Sequence, residues 1–326
     1  MLEIVSLIIP FFGLIAIGFA TARIKPQPIE ALAWLNIFIV YIALPALFIK
    51  LLATTPVEDL TNWSFVLTTV GVTFGILAFT FAIALVATGG NIAEATVQGL
   101  AGGYGNIGYM GPGLAILAFG EQAAVPVALI FCFENMMHFA LAPAMMAMSG
   151  ARRGGIGQLV LDVIAKIALH PFILATAVGV GLAFADAALP DPVQRLIDYL
   201  AQAAAPCALF AMGVTLALRP VKRVPLGLVY IVPIKLVLHP AAMFVALSMV
   251  GGVDPAWMLT AVLLASLPTA TNVFVIAQQY GVWIERASAT VLATTVLSVA
   301  TVSVLLYALK AGYLSGGGIA VAPLGG

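Results

Sequence analysis

The chain has 326 residues, 63% of them apolar and 8% charged, with a mean hydropathy of +1.15. That balance excludes a soluble globular protein and places the chain among integral membrane proteins. Thirteen Lys and Arg match thirteen Asp and Glu, so no basic surface argues for nucleic acid. Cys132 and Cys207 both fall in apolar segments, as small reduced core residues without a disulfide framework or metal-ligand spacing.

Runs of about twenty apolar residues between charged or Gly/Pro-rich interruptions mark membrane-spanning helices. Ten are predicted, near 4–22, 34–53, 64–87, 96–118, 123–148, 165–184, 196–217, 226–250, 256–280 and 287–309. The first lacks a cationic leader and a small-residue cleavage site, and reads as a spanning helix rather than a removable signal. In the second, Pro45 is placed to kink the helix, which either shapes a cavity or equally serves packing, and Pro206 holds the matching place in the seventh.

The fourth span contains Tyr104-Gly105-Asn106-Ile107-Gly108-Tyr109-Met110-Gly111-Pro112-Gly113, residues poorly able to hold a helix together. Backbone that leaves a helix at membrane depth strands N–H and C=O groups, and persists only where protein buries it or a watery cavity lines it. The ninth span has its own interruption, Leu267-Pro268-Thr269-Ala270-Thr271-Asn272. A helix broken at the midplane presents the N-terminus of its second half, where free N–H groups favour an anion. Pro112 and Pro268 suit the first turn of such half-helices. Asn106, Thr269, Thr271 and Asn272 supply neutral donors and acceptors beside the breaks.

Between these breaks lie the charged and titratable residues of the spans. Glu134, followed by Asn135 and His138, sits about midway through span 5. A carboxyl there is a candidate proton carrier, or equally the partner that neutralises a buried cation. Lys166 echoes Lys235 in sequence, but it lies with Gln158 and Asp162 on an interfacial turn and reads as an anchor. Lys235 comes ten residues after Pro225, which at a helical rise of ~1.5 Å per residue puts it ~15 Å into the membrane. Too deep to reach the headgroups, it faces the protein interior and suits an anionic substrate or a buried counter-charge. His170 and His239 each precede a proline, where they either bond a carbonyl freed by the kink or relay a proton.

An internal repeat is visible at an offset of 161 residues, which takes Pro10-Phe11 to Pro171-Phe172, Gly18 to Gly179, Pro45 to Pro206 and Gly120 to Gly281. Five spans is an odd number, so the second copy enters the membrane from the opposite face. The expected fold is an all-α integral membrane protein of ten helices, built as two inverted five-helix repeats over residues 1–155 and 156–326. Lys and Arg mark the cytoplasmic side. Arg23, Lys25, Arg152, Arg153, Lys166, Arg219, Lys222, Arg223 and Arg286 fall on one side, and Lys50, Arg195 and Lys310 on the other. Both termini are thereby expected outside the cytoplasm, in a cell inner membrane.

The motifs Asn106-x-Gly108-Tyr109-Met110-Gly111-x-Gly113 and Pro268-x-Ala270-x-Asn272-x-Phe274-Val275-Ile276-Ala277 resemble those of the auxin efflux carrier family, whose bacterial members include malonate transporters. Lys235 with Pro240, and Pro45, also fit, and the likeness covers essentially the whole chain. The resemblance implies a scaffold part from spans 1, 2, 6 and 7, a mobile transport part from spans 3 to 5 and 8 to 10, elevator-type alternating access and a homodimer. It also implies a plan like that of sodium-coupled bile-acid carriers, with the broken helices crossing beside the substrate. Asn106, Gly108, Tyr109, Gly111, Pro112, Pro268, Thr269, Thr271 and Asn272 are the expected substrate-binding residues. Lys235, Glu134 and His239 are expected to handle charge or protons, and Pro45, Pro206 and Asn135 to shape the cavity. Gly113 stands where many relatives have proline, and His170 where they often have asparagine, so substrate preference does not carry over.

The function expected is transport of a small organic anion, a malonate-like mono- or dicarboxylate, with proton, sodium or potential as the driving force and no cofactor. The alternative is a sodium-coupled bile-acid-type symporter of a bulkier or neutral solute. No His-Glu-x-x-His, Gly-x-Ser-x-Gly or paired Asp-rich motif supports an enzyme.

Overall fold

The computed structural model describes residues 2–150, 156–187, 189–218 and 226–310, and is helical almost throughout. The helices are α1 (Leu2–Ile24), α2 (Ile29–Ala53), α3 (Trp63–Ala87), α4 (Ile92–Gly103), α5 (Gly111–Phe119), α6 (Glu121–Met148), α7 (Ile156–Ala168), α8 (Pro171–Phe184), α9 (Asp191–Leu218), α10 (Leu228–Val250), α11 (Pro255–Ser266), α12 (Thr271–Tyr280) and α13 (Ile284–Lys310). A single additional turn covers Val57–Leu60. Among the described residues six stretches, α2, α3, α6, α9, α10 and most of α13, are long and apolar enough to cross a membrane, and Ile9–Ile24, Pro171–Phe184 and Pro255–Ser266 are shorter apolar helices.

Helix starts follow local chemistry. Asn62 accepts from the Phe65 N–H at 3.1 Å, Asn91 from the Glu94 N–H at 3.1 Å, and Asp254 from the Ala256 N–H at 2.7 Å. The predicted sixth span is shorter than expected. Pro171 opens α8 after extended His170, and Lys166 belongs to the separate α7. The side chains of Lys166, Gln158 and Asp162, and Arg152, Arg153, Arg219, Lys222 and Arg223 as whole residues, lie outside the described residues.

Contact between helices rests on small residues, as expected where lipid removes the hydrophobic drive for helix association. α1 packs along α9, with Gly18 against the Phe210 carbonyl and Gly213 against the Ile15 carbonyl. α2 packs on α8 and α9, and Gly179 approaches so near that an added Cβ would lie 2.9 Å from Leu52 Cβ. Elsewhere α3 packs on α4, α6 and α10, α10 on α11, and α12 on α13. Gly99, Gly102 and Gly103 of α4 face Phe81, Thr80 and Leu77 of α3.

Two π-helical stretches interrupt the long helices, Ile39–Ala43 in α2 and Ile234–Leu238 in α10. Each lies just before a proline, Pro45 and Pro240, whose missing N–H and ring clash disturb the preceding turn. The kink expected at Pro45 thus takes the form of a widened turn. Pro206, by contrast, sits inside the continuous α9.

Candidate functional site

Residues 104–110 join α4 to α5, and residues 267–270 join α11 to α12. The two interruptions pair with each other. The Asn106 N–H donates to the Pro268 carbonyl at 2.8 Å, and the Ala270 N–H donates to the Tyr104 carbonyl at 2.9 Å. This makes an isolated antiparallel bridge between Gly105 and Thr269. Each break thereby satisfies backbone groups of the other, which is what the apolar surroundings require. Thr269 fastens the crossing further: its hydroxyl donates to the Ala101 carbonyl at 2.7 Å, and its N–H donates to the Thr294 hydroxyl at 3.2 Å.

Pro112 stands in the first turn of α5, as the sequence predicts. Pro268 does not hold the equivalent place. α12 starts after Ala270, and Pro268 lies within the break, where its carbonyl accepts from Asn106. Extended backbone at Leu267 and Ala270, on either side, keeps Pro268 out of a helical turn.

Beside the crossing is a cavity of about 100 Å³. Its polar lining comes from Tyr104, Asn106, Tyr109, Asn135, His170, Thr271 and Asn272, with the backbone of Gly105, Gly108 and Ala270. Val40, Leu44, Phe131, Phe139 and Phe172 form its apolar wall. Of the expected substrate-binding residues, Asn106, Gly108, Tyr109, Thr271 and Asn272 line it, while Pro268 and Thr269 hold the crossing and Gly111 and Pro112 open α5, all four without lining it. The cavity meets the N-terminal turn of α12, whose cap Ala270 contributes no side-chain bond to the free N–H groups. Asn135 lines the cavity, and Pro45 and Pro206 do not.

Tyr104 links two of these groups to each other and to His138. Its hydroxyl donates to Asn135 Oδ1 at 2.5 Å and accepts from Asn272 Nδ2 at 2.8 Å, and its ring stacks on His138 with centroids 3.9 Å apart. The Asn135 amide donates to the Phe131 carbonyl at 2.7 Å. Asn106 Nδ2 donates to Met212 Sδ of α9 at 3.2 Å, a weak acceptor that a carboxylate oxygen would outcompete. Composition pointed to Asn106 and Asn272, but gave no sign of Tyr104 or Met212, because tyrosine and methionine are ordinary residues of apolar helices.

Behind the crossing lie the charged residues, all fully buried. Lys235 Nζ donates to the Ala265 carbonyl at 2.8 Å and is 3.0 Å from His239 Nδ1. A Cβ on Gly105 would lie 3.2 Å from Lys235 Nζ, so the ammonium packs directly against the crossing. Glu134 accepts from the Thr73 hydroxyl at 2.7 Å, and Thr73 Oγ1 is 3.1 Å from His239 Nε2. Among the described residues Glu134 and Lys235 form no direct ion pair, and are joined through Thr73 and His239. His138 Nδ1 is 2.6 Å from the Glu134 carbonyl oxygen, and its Nε2 has no hydrogen-bond partner among the described residues. A larger groove of about 480 Å³ lies between α10 and α13, but its lining is almost wholly apolar and includes none of the crossing residues.

Two interrupted helices paired through their backbones beside a small polar cavity are the kind of site built by membrane carriers. The chain belongs to the family described as membrane transport protein, whose model matches residues 3–153 and 156–306. This is the auxin efflux carrier family that the two break motifs resemble, and it makes the protein a transporter rather than an enzyme. A protein of Rhizobium meliloti (strain 1021) named "Putative malonate transporter" is similar to it, with 64% identity over 314 residues that cover 96% of this chain and 98% of the relative.

Proposed function

We propose that this chain carries a small organic anion, a malonate-like mono- or dicarboxylate, across the cell inner membrane. The observation that carries the reading is the cavity at the crossing. A volume of about 100 Å³ admits several waters or a three- to four-carbon acid, at roughly 10–15 Å³ of such space per water. It does not admit a sterol-sized solute, which weighs against the bile-acid-type alternative. One carboxylate takes hydrogen bonds from the Asn106 and Asn272 amides and the first N–H groups of α12, and Lys235 contributes positive potential from across Gly105. The name of the Rhizobium relative fits the same substrate class.

In this reading the chain comprises ten spans as two inverted halves, and the carrier works by elevator-type movement as a homodimer. The mutual packing of α1, α2, α8 and α9 supports a scaffold, against which the helices bearing the crossing move. Asn106 reaching across to Met212 of α9 is a contact that such a movement breaks. The Lys and Arg pattern supports termini outside the cytoplasm.

Calorimetric titration of the purified protein with malonate, longer dicarboxylates and a bile acid tests the reading. Binding that declines as the acid outgrows the cavity is expected. Bile-acid binding without malonate binding would overturn the assignment.

A further inference from the structure

Resting on the anion-carrier reading, the network behind the crossing has a polarity that its chemistry fixes. A lysine ammonium only donates, so His239 Nδ1 must accept from Lys235 across 3.0 Å. A neutral imidazole with an accepting Nδ1 carries its hydrogen on Nε2, and Nε2 therefore donates to Thr73 Oγ1 at 3.1 Å. The Thr73 hydroxyl hydrogen is then free to point the other way, and it donates to Glu134 Oε1 at 2.7 Å. Every hydrogen along Lys235, His239, Thr73 and Glu134 points from the cation toward the carboxylate.

We propose that this row of side chains is a proton wire, with Thr73 as the joint that lets Glu134 take up a proton from the substrate cavity. Neither Glu134 nor Lys235 lines that cavity, but Gly105 does, and the Lys235 ammonium packs against Gly105, so Lys235 is the member of the row set one residue behind the cavity wall. In the forward passage Lys235 Nζ gives a proton to His239 Nδ1, His239 Nε2 gives its proton to Thr73 Oγ1, and the original Thr73 proton passes to Glu134. Lys235, left as the amine, is reprotonated from cavity water. The net change is one proton taken from the cavity and one Glu134 carboxylate converted to the neutral acid. In the reverse passage Lys235 first gives a proton back to cavity water, and the Glu134 proton then passes through Thr73 and His239 to the Lys235 amine, which restores the ammonium, the carboxylate and the starting polarity. An anion arriving beside Lys235 thus arrives with a proton that removes the opposing charge of Glu134, which makes the cargo one anion and one proton.

The other titratable groups facing the row leave this accounting unchanged. His138 of α6 meets Glu134 through the backbone carbonyl at 2.6 Å, and Tyr104 stacks on His138 without touching the row. Thr73 itself is fully buried in α3 and touches both Glu134 and His239, so it acts on the anion only through them.

The test compares T73V, which keeps shape and loses the hydroxyl, with T73S, which keeps the hydroxyl. The protein in detergent is stepped to acid, and protonation of Glu134 is followed by its infrared carboxyl band, identified by its absence in E134Q. The band is expected to rise about 100-fold more slowly in T73V, the scale of losing a positioned proton-transfer group, and at close to the wild-type rate in T73S. Equal rates in T73V and wild type, or slowing of T73S to the level of T73V, would overturn the wire. Malonate counterflow in proteoliposomes runs alongside. Wild type that exchanges no malonate would sink the anion-carrier reading, while the infrared rates still decide whether the wire exists.

Discussion

A charge at the middle of a membrane helix has to be neutralised in place. Lys235 and Glu134 achieve this through two neutral intermediaries rather than by touching. Lys235→Ala leaves Glu134 buried without its counter-charge, at a cost of about 3–5 kcal/mol. It is expected to lower the melting temperature in detergent sharply and to abolish transport. Adding Glu134→Gln is expected to restore the melting temperature but not the transport, and a double mutant as unstable as the single one would show that the two charges do not balance each other. Asn106→Ala and Asn272→Ala each remove one donor at the cavity and are expected to reduce carboxylate affinity about tenfold, equivalent to ~1.4 kcal/mol, while the protein stays folded. Unchanged affinity in both would remove the amides from the site.

The charged pair was legible in the sequence because a lysine or a carboxylate inside an apolar run must turn to the protein interior and find a partner, whether it serves transport or only ties helices together. Thr73 was not, since threonine is common in membrane helices and its partners Glu134 and His239 lie 61 and 166 positions away. Tyr104 escaped notice for the same reason. Pro268 was assigned its role by analogy with Pro112, and the pairing of the two breaks gave it a different one.

Among the secondary-structure elements, the breaks in the two half-length helix pairs carry most of the design, and their ends are set by glycine. Gly120 ends α5 with φ +77° and Gly281 ends α12 with φ +69°, conformations in which a Cβ is strained. These were also a matched pair in the 161-residue repeat. Gly120→Ala is expected to destabilise the protein by roughly 1–2 kcal/mol, read as a lowered melting temperature. No change would mean that the turn rearranges freely. A larger effect is expected at Gly213, where an added Cβ meets the Ile15 carbonyl of α1. Gly213→Ala forces α1 and α9 apart at a cost of about 1–3 kcal/mol. The breaks were readable from composition because Gly, Pro and Asn cluster there. The π-helical turns were not, because they depend on how the helix accommodates Pro45 and Pro240 in three dimensions.

Across the whole molecule, a cavity between paired breaks is useful only if it opens to each side of the membrane in turn. The contact of Asn106 with Met212 crosses from the helices of the crossing to α9, and in the proposed cycle it belongs to one stage. Class, helical fold and family were all legible from hydropathy and the two motifs, because lipid leaves few solutions for a chain this apolar. The size of the cavity was not, because it depends on Phe131, Phe139 and Phe172 arriving from α6 and α8, residues that look in sequence like any other lipid-facing aromatic.

The most direct test of the account is uptake of labelled malonate into proteoliposomes under separately imposed proton, sodium and voltage gradients. The account predicts malonate uptake by the wild type that follows an inward proton gradient and falls about tenfold in both Asn106→Ala and Asn272→Ala. An absence of carboxylate flux, with sodium-driven accumulation of another solute, would contradict it.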